Sequence, residues 1–367
     1  MTAQSAPARK RRSERAAEPP IRLMIVDDST VARAVLSRMV ASNPDFEVVA
    51  LAGNSNEALD ALRSVKVDIV LLDVEMPGTS GLEALPAIIK AGRGARVLIV
   101  SSMAEDGAEV TVRALAEGAA DTLPKPGTGY FAGRFSEVLA DRLRRIGRAG
   151  RSANDKVPGP DNDAIRLRDM PDRPLGCVAL GASTGGLHAL VEFLRALPAR
   201  LGAPILVTQH LPTIFMPYFA RQLETASGRV ARVAEEGQLL TNELIHVAPG
   251  DAHLCVGQQG ARVLVRLDRK CAPSGCLPSV DPMLASVADI YGEGAVGVIL
   301  SGMGRDGLVG SQRVVDQGGS MLAQDQVTSA IWGMPRAVAE AGLASAVLPP
   351  GELARRIGQR VEASSWK

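Results

Sequence analysis

The chain carries the stretch GASTGG at residues 181–186, between an apolar run at 175–180 and a helix-like pattern at 187–197. This order predicts a strand, a tight turn and a helix, with Ser183 presented at the turn. Glycines on both sides let the backbone bend sharply and let another segment approach closely. The free N–H groups at the helix start favour an oxyanion or a phosphate. The stretch therefore predicts an α/β unit with two rival uses, a nucleophilic serine or a phosphate-binding turn.

The composition is that of soluble globular domains. The chain has 367 residues, 46% hydrophobic and 22% charged, which predicts about two or three domains. A net charge of +1 and an aromatic content of 3% argue against nucleic acid as a partner. No apolar stretch reaches membrane-spanning length and the basic start lacks the apolar segment of a secretory signal, so we expect a cytoplasmic protein without membrane insertion.

The cysteines do not predict a metal site. Cys177, Cys255, Cys271 and Cys276 match no strong zinc-binding spacing. We therefore expect them to be reduced thiols.

Hydrophobic periodicity divides the chain into four segments. Residues 1–20 are polar and end in two prolines, which predicts a disordered tail. Residues 21–145 alternate five apolar runs with amphipathic stretches, which predicts an open parallel sheet with helices on both faces. Residues 146–173 are polar and rich in Pro and Gly, which predicts a linker. Residues 174–366 repeat the alternation of strands and helices.

The predicted fold class is α/β, with two doubly wound parallel-sheet domains. Two short runs of alternating polarity, 253–256 and 262–267, interrupt the second pattern. They predict an antiparallel β-hairpin inserted into the second domain.

Polar residues stand directly after the predicted strands of the first domain. Asp27 and Asp28 follow the first strand, Asp73 follows the third, Ser101 ends the fourth and Lys125 follows the fifth. Residues past the carboxyl ends of neighbouring parallel strands converge in one crevice. An all-oxygen site suits Mg²⁺, and a metal-held carboxylate beside a lysine can accept a phosphoryl group. The alternative is a set of helix N-caps and solvated loop carboxylates.

Residues 21–145 resemble the receiver domain of two-component response regulators. The matching pieces are IVDDS at 25–29, LDVEMPG at 72–78, SS at 101–102 and LPKP at 123–126. The resemblance implies a flavodoxin-like fold, with Asp73 as the phosphoacceptor and a histidine kinase as the phosphodonor. It implies that Ser101 and Lys125 sense the phosphoryl group. It also implies a Mg²⁺ site formed by Asp27, Asp28, Asp73 and the backbone carbonyl of Glu75.

A nucleophilic serine needs a base, and the base needs a group that orients it. His210 follows the second predicted strand of the second domain, at the same sheet edge as Ser183. Asp306 lies in the small-residue loop SGMGRDG at 301–307, after another predicted strand, and is the candidate orienting carboxylate. Its alternative role is a helix N-cap. The remaining histidines are expected to be structural; they are His188, His246 and His253.

The two glycine-rich loops also predict an oxyanion hole, formed by the backbone N–H groups of Thr184 and Met303. The chain order Ser, His, Asp differs from the order Ser, Asp, His of common α/β-hydrolases. A nominal GxSxG at 181–185 nevertheless keeps an ordinary esterase among the alternatives.

Residues 175–365 resemble the catalytic domain of the protein-glutamate methylesterases that modify chemotaxis receptors. The matching pieces are GASTGG at 181–186, TQH at 208–210, VAPGD at 247–251, PSVD at 278–281, the stretch 298–307 and GMPR at 333–336. The resemblance implies a Rossmann-like three-layer α/β/α hydrolase domain, with Ser183, His210 and Asp306 as nucleophile, base and orienting group. The segment 268–277, DRKCAPSGCL, departs from the more polar stretch usual in the family and is expected to border the substrate groove.

The implied activity is hydrolysis of glutamate γ-methyl esters, with deamidation of specific glutamines, on the cytoplasmic helices of methyl-accepting chemoreceptors. No cofactor is expected for this ester chemistry. The unphosphorylated receiver is expected to pack over the Ser183 crevice until phosphorylation weakens the packing.

Two alternatives to this function remain at the level of sequence. One is a receiver-linked binding or regulatory protein with a catalytically silent second domain. The other is a phosphate- or nucleotide-binding module that uses the turn at 181–186. The proximity of His210 to Ser183 would distinguish the hydrolase from both.

Overall fold

The computed structural model describes residues 19–101, 105–125, 132–154 and 165–365. Within these ranges the chain forms two parallel-sheet α/β units. The predicted tail lies outside the described residues, except for Pro19 and Pro20. No helix in the described ranges is long and apolar enough to cross a membrane.

The first unit is a five-stranded parallel sheet with the order β2-β1-β3-β4-β5. Its strands are β1 (Ile21–Val26), β2 (Phe46–Ala52), β3 (Ile69–Leu72), β4 (Arg96–Ser101) and β5 (Asp121–Pro124). Strand β3 is apolar at every position and fully buried, because helices cover both faces of the sheet. The strand order reverses at β1, so the carboxyl ends of β1 and β3 border a crevice.

Three of the five helices described in the first unit begin at side-chain N-caps. They are α1 (Thr30–Ala41), α2 (Ser55–Ser64), α3 (Gly81–Ala91), α4 (Glu105–Ala116) and α5 (Ala132–Asn154). The Ser29 hydroxyl caps α1, and Ser80 forms a reciprocal capping box with Glu83 at the start of α3. Helix α5 continues to Asn154, inside the segment that composition predicts as a linker. Its Ile146 is buried in the same core cluster as Ile21, which ties this part of the helix to the sheet.

The second unit is a seven-stranded sheet with the order β14-β13-β12-β6-β7-β9-β8. Its strands are β6 (Cys177–Ala182), β7 (Ile205–Gln209), β8 (Ala231–Val233), β9 (Ile245–Val247), β12 (Ala295–Ile299), β13 (Ser320–Gln324) and β14 (Ala344–Leu348). All of its strand pairs are parallel. The order reverses at β6, so the strand that leads into Ser183 ends at the switch point, where ligands bind in open α/β sheets.

Helices cover both faces of this sheet, which gives three layers. The helices are α6 (Gly186–Ala196), α7 (Met216–Ser227), α8 (Val280–Tyr291), α9 (Leu308–Asp316), α10 (Met334–Glu340) and α11 (Pro350–Ser365). One face packs α6 against α7 and α11, and the other packs α9 against α8 and α10. The predicted hairpin is present as the antiparallel pair β10 (His253–Gln259) and β11 (Arg262–Asp268), with β10 packed on α8. The predicted fold class of two doubly wound α/β domains is confirmed.

Candidate active site

Ser183 lies between the end of strand β6 and the start of helix α6. Its N–H donates to the carbonyl of Ser301 at 2.9 Å, which joins the serine turn to the loop after β12. Gly185 has φ +72°, and a Cβ at Gly186 would lie 2.6 Å from the Cβ of Ala182. Both glycines are therefore required by the sharp turn that presents the serine.

His210 directly follows strand β7, one strand away from the serine. Its Nε2 lies 2.8 Å from Oδ2 of Asp306, and its side chain is 18% exposed. The Asp306 contact engages Nε2 and leaves Nδ1 as the ring nitrogen available to a serine hydroxyl. No hydrogen bond joins Ser183 Oγ to His210 in the described part of the chain, although both residues line one crevice. Catalytic hydrogen bonds are often loose before substrate binds.

Asp306 is 3% exposed, and both of its carboxylate oxygens have partners. Oδ1 accepts from the Ser279 hydroxyl at 2.6 Å, and Oδ2 accepts from the N–H of Val280 at 2.8 Å as well as facing His210. The N-cap of the following helix α9 is Gly307, which makes no side-chain cap. The Asp306 carboxylate is thus directed at His210 and at the start of helix α8.

Sequence reasoning missed the residues that hold Asp306. His253, 1% exposed, accepts the Ser279 N–H at its Nδ1 (2.8 Å) and lies 2.7 Å from the Lys270 carbonyl through Nε2. It thereby joins both ends of the segment between β11 and α8. The sequence did not predict this role for His253, which begins the predicted hairpin, because Ser279 lies beyond a loop whose path the sequence pattern does not specify.

The other two histidines lie away from the crevice. His188 Nδ1 lies 2.9 Å from the carbonyl of Ala116, in the contact between the two units. His246 is fully buried in β9 with no partner for either ring nitrogen among the described residues. Burial lowers the pKa of His246 to about 4.

Burial and close contacts between the ionisable groups shift the pKa values of His210, Asp306 and Asp281. Burial lowers the pKa of His210, but the hydrogen bond to Asp306 and the nearby Cys276 thiol raise it, to about 9. Burial raises the pKa of Asp306, yet hydrogen bonds from His210, Ser279 and the Val280 N–H hold it well below its ordinary value. Burial and the charge of Asp306 raise the pKa of neighbouring Asp281 to about 6. The cluster thus holds an imidazolium beside an ionised carboxylate at neutral pH.

The loop after β12 approaches the serine closely enough to supply an oxyanion site. A Cβ at Gly302 would lie 2.9 Å from the Cβ of Ser183. No acceptor for the N–H groups of Thr184 and Met303 is found within the described ranges. Free N–H groups beside a nucleophile are what an oxyanion hole requires.

The first unit contacts the serine turn directly. The Thr184 hydroxyl donates to Oδ2 of Asp121 at 3.1 Å, and the Gly185 N–H donates to the carbonyl of Ala120 at 2.7 Å. Helix α4 packs on α6 and α7 of the second unit. The beginning of strand β5 therefore lies on the residues that follow Ser183.

A crevice of about 460 Å³ remains between the two units at the serine. Asp121 and helix α5 line it on one side. The other side is lined by Ser183, Thr184, His210 and Met303. These four residues are all the predicted ester-site residues except Asp306. Asp306 does not line the crevice but contacts His210, which does.

The acidic residues of the first unit also converge. Asp27, Asp28 and Asp73 place carboxylate oxygens within 4.8 Å of one another, and Lys125 Nζ lies 2.6 Å from Asp73 and 3.1 Å from Asp27. The Glu75 N–H donates to Asp73 at 3.1 Å. The clustered oxygens fit a hard cation such as Mg²⁺, because Lys125 supplies one positive charge for three carboxylates, two of which are almost fully buried. Ser101 ends strand β4, paired with Pro124, and its side chain lies outside the described residues.

Comparisons with known proteins agree with this division of the chain. The family model "CheB methylesterase" matches residues 178–357, and the model "Response regulator receiver domain" matches residues 23–129. Protein-glutamate methylesterase/protein-glutamine glutaminase 2 of Caulobacter vibrioides is 40% identical, over 94% of this chain and 99% of its own length. The corresponding protein 1 of Paramagnetospirillum magneticum is 38% identical, over 91% of this chain and 94% of its own.

Among solved structures, the CheB methylesterase catalytic domain of Thermotoga maritima is 35% identical. It covers 50% of this chain and 98% of its own, with a TM-score of 0.49. The extent and identity of the full-length matches are sufficient to assign the family. The chain belongs to the protein-glutamate methylesterase/protein-glutamine glutaminase family, with a response regulator receiver domain ahead of its methylesterase domain.

Proposed function

We propose that this chain hydrolyses glutamate γ-methyl esters, and deamidates specific glutamines, on methyl-accepting chemoreceptors through Ser183, His210 and Asp306. The observation that carries the proposal is the 2.8 Å contact between His210 Nε2 and Asp306 Oδ2, made at the crevice where Ser183 lies. A catalytically silent docking domain has no need for a buried carboxylate that is held by two donors and directed at a histidine. The activity is that of a carboxylic ester hydrolase.

His210 acts first as a base and then as an acid. Nδ1 takes the proton of Ser183 as Oγ attacks the ester carbonyl carbon, and the N–H groups of Thr184 and Met303 stabilise the oxyanion. Collapse of the tetrahedral intermediate releases methanol, which takes its proton from His210, and leaves an acyl ester on Ser183. Water then attacks by the same route and restores the serine and the glutamate carboxylate. Asp306 holds the ring and stabilises the imidazolium throughout.

A glutamine side chain reacts by the same steps. The leaving group is then ammonia instead of methanol, and the product is again glutamate. The same acyl-enzyme therefore accounts for both activities in the family name.

We propose that the receiver regulates this site through phosphorylation of Asp73 by a histidine kinase. Asp27, Asp28, Asp73 and the backbone carbonyl of Glu75 would hold Mg²⁺, which supplies positive charge for phosphoryl transfer when bound. Lys125 neutralises the phosphoryl oxygens from the other side, and Ser101 is the proposed hydroxyl partner. Contact between the receiver and the serine turn supports an inhibitory role for the unphosphorylated receiver.

The domain limits are part of the proposal. We propose a receiver over 21–145, a linker over 146–173 and a catalytic domain over 174–366, with the first turns of the linker continuing helix α5.

The test is methanol release from receptors that carry labelled methyl esters. Ser183→Ala should lower the rate by a factor on the order of 10⁴ to 10⁶, while receptor binding and the melting temperature stay at their wild-type values. A Ser183→Ala protein that retains more than a few per cent of the rate would remove the serine from the mechanism. A wild-type protein that binds receptor and releases no methanol, with or without phosphodonor, would instead establish the silent-domain alternative.

A further inference from the structure

A free thiol lies beside the proposed catalytic pair. Three possible metal-ligand atoms lie within 4.8 Å of one another: the sulfur of Cys276, a ring nitrogen of His210 and a carboxylate oxygen of Asp306. Cys276 belongs to the segment between β11 and α8, which the sequence marked as divergent. Its spacing from the other cysteines suggested no metal site, because the partners it meets are a histidine and an aspartate distant in sequence.

The Cys276 thiol interacts with the ring of His210. Its contact with the Ser274 carbonyl is 3.9 Å long, and the residue is partly exposed. A turn closed by the Gly275 N–H and the Ala272 carbonyl, 2.9 Å apart, precedes it. The thiol therefore already lies beside the ring with which it would share a cation.

The donor set is that of a borderline-soft cation. Thiolate sulfur, imidazole nitrogen and carboxylate oxygen bind Zn²⁺ at about 2.3, 2.0 and 2.1 Å, so ligand atoms in a tetrahedral site lie about 3.4 Å apart. The His210–Asp306 separation is 2.8 Å and the third atom is within 4.8 Å, so small shifts in opposite directions produce that geometry. Mg²⁺ and Ca²⁺ prefer oxygen ligands and would not compete here.

We propose that Cys276, His210 and Asp306 form an inhibitory binding site for a thiophilic divalent cation, with Zn²⁺ as the representative ion. A water molecule from the crevice completes four-coordination. The cation displaces the proton of the Cys276 thiol and the proton on Nε2 of His210, and both protons pass to solvent. It binds Nε2 between the ring and Asp306, so the remaining ring proton stays on Nδ1. A protonated Nδ1 prevents His210 from accepting the proton of Ser183.

The direct test uses Co²⁺ with the full-length chain in excess Mg²⁺, which saturates the acidic pocket of the receiver. Thiolate-to-cobalt charge-transfer absorption reports only coordination by sulfur, so carboxylate sites are silent. We expect one Co²⁺ per chain with this absorption, and displacement of Co²⁺ by Zn²⁺. Cys276→Ser should abolish the band and weaken Zn²⁺ binding at least about tenfold.

Two variants make the test specific. Cys271→Ser removes an exposed cysteine of the same segment and should leave the band and the Zn²⁺ affinity unchanged. His210→Gln keeps the thiol but removes the ring ligand, and should weaken Co²⁺ binding by a similar factor. A band that survives Cys276→Ser, a band lost in Cys271→Ser, or no band in the wild-type chain would each overturn the proposal.

The activity measurement rests on the proposed function, and the spectroscopic one does not. Zn²⁺ should inhibit methanol release by the wild-type chain, with recovery on chelation, at concentrations about tenfold lower than those needed for Cys276→Ser. Equal sensitivity of the two proteins would overturn the inhibitory role. If the chain releases no methanol at all, the proposed function fails while the cobalt result still decides the metal site.

Discussion

Asp121, the first residue of strand β5, accepts a hydrogen bond from the hydroxyl of Thr184, the residue after the proposed nucleophile, at 3.1 Å. Lys125 follows the other end of the same strand and contacts Asp73. Asp121 and Lys125 are four positions apart in extended chain, a distance of about 13 Å. One strand therefore leads from Lys125, at the proposed phosphorylation site, to Asp121, at the serine turn.

Replacement of Asp121 should raise the basal esterase rate. Asp121→Ala removes the carboxylate that accepts the Thr184 hydroxyl and that also pairs with Arg142. We expect about a 3- to 10-fold increase in methanol release without phosphodonor, because the contact of the first unit with the serine turn is weakened. Asp141→Ala is the matched control, because Asp141 lies on the crevice but pairs with Arg145 of its own helix. An unchanged rate in Asp121→Ala would show that the contact does not restrain the site.

Replacement of the phosphoacceptor should uncouple the two domains. Asp73→Asn should leave methanol release at its basal level and abolish its response to a small-molecule phosphodonor, since the amide accepts no phosphoryl group. The wild-type chain should respond by about 5- to 150-fold, the range of typical coupling free energies. A phosphodonor response that persists in Asp73→Asn would place the acceptor elsewhere.

The orienting carboxylate should affect turnover more than folding. Asp306→Asn preserves the shape of the side chain but favours the wrong tautomer of His210, and kcat should fall by a factor on the order of 10⁴. Thermal melting of the same protein is the second measurement. Full specific activity in a protein that melts early would mean that Asp306 is structural, through Ser279 and Val280, and not part of the chemistry.

Activity should rise with pH through the range in which His210 loses its proton. The pKa of His210 is raised to about 9, so only roughly 1% of the rings are in the base form at pH 7. We expect kcat/KM for a soluble ester to increase about tenfold per pH unit above 7 and to level off above pH 9. Because Cys276 helps to raise this pKa, Cys276→Ser should move the midpoint to lower pH. A flat profile between pH 7 and 9 would contradict the role of His210.

His253 should act on catalysis through Ser279. His253→Leu leaves the buried Ser279 N–H without its acceptor, at about 1–3 kcal/mol, and removes the contact with the carbonyl of the exposed Lys270. We expect a lower melting temperature together with a lower kcat, and a KM for soluble ester that changes little. His246→Leu is the control, since neither ring nitrogen of His246 has a partner among the described residues; it should keep kcat. A His253→Leu protein with normal kcat would confine the residue to stability.

The sequence predicted those features that depend on the order of strands and helices along the chain. Parallel α/β alternation fixes strand directions, and residues past the carboxyl ends of neighbouring strands meet at one edge. That rule was enough to bring Ser183 and His210 to one crevice, and Asp27, Asp28 and Asp73 to another. It also predicted the hairpin, because its two strands are adjacent in sequence and alternate in polarity.

Only the tertiary structure decided the contacts made by loops and by one domain on the other. The neighbours of Asp306 come from a segment whose path no periodicity specifies, so Ser279, His253 and Cys276 could not be placed beforehand. The composition allowed the last helix of the first domain to continue as far as about residue 149, and the structure shows helix α5 continuing to Asn154 with Ile146 buried in the first core. The contact of Asp121 with Thr184 joins two segments that are distant in sequence, and neither sequence indicates the other as its partner. Such contacts depend on how the folded surfaces fit together, and this information exists only in three dimensions.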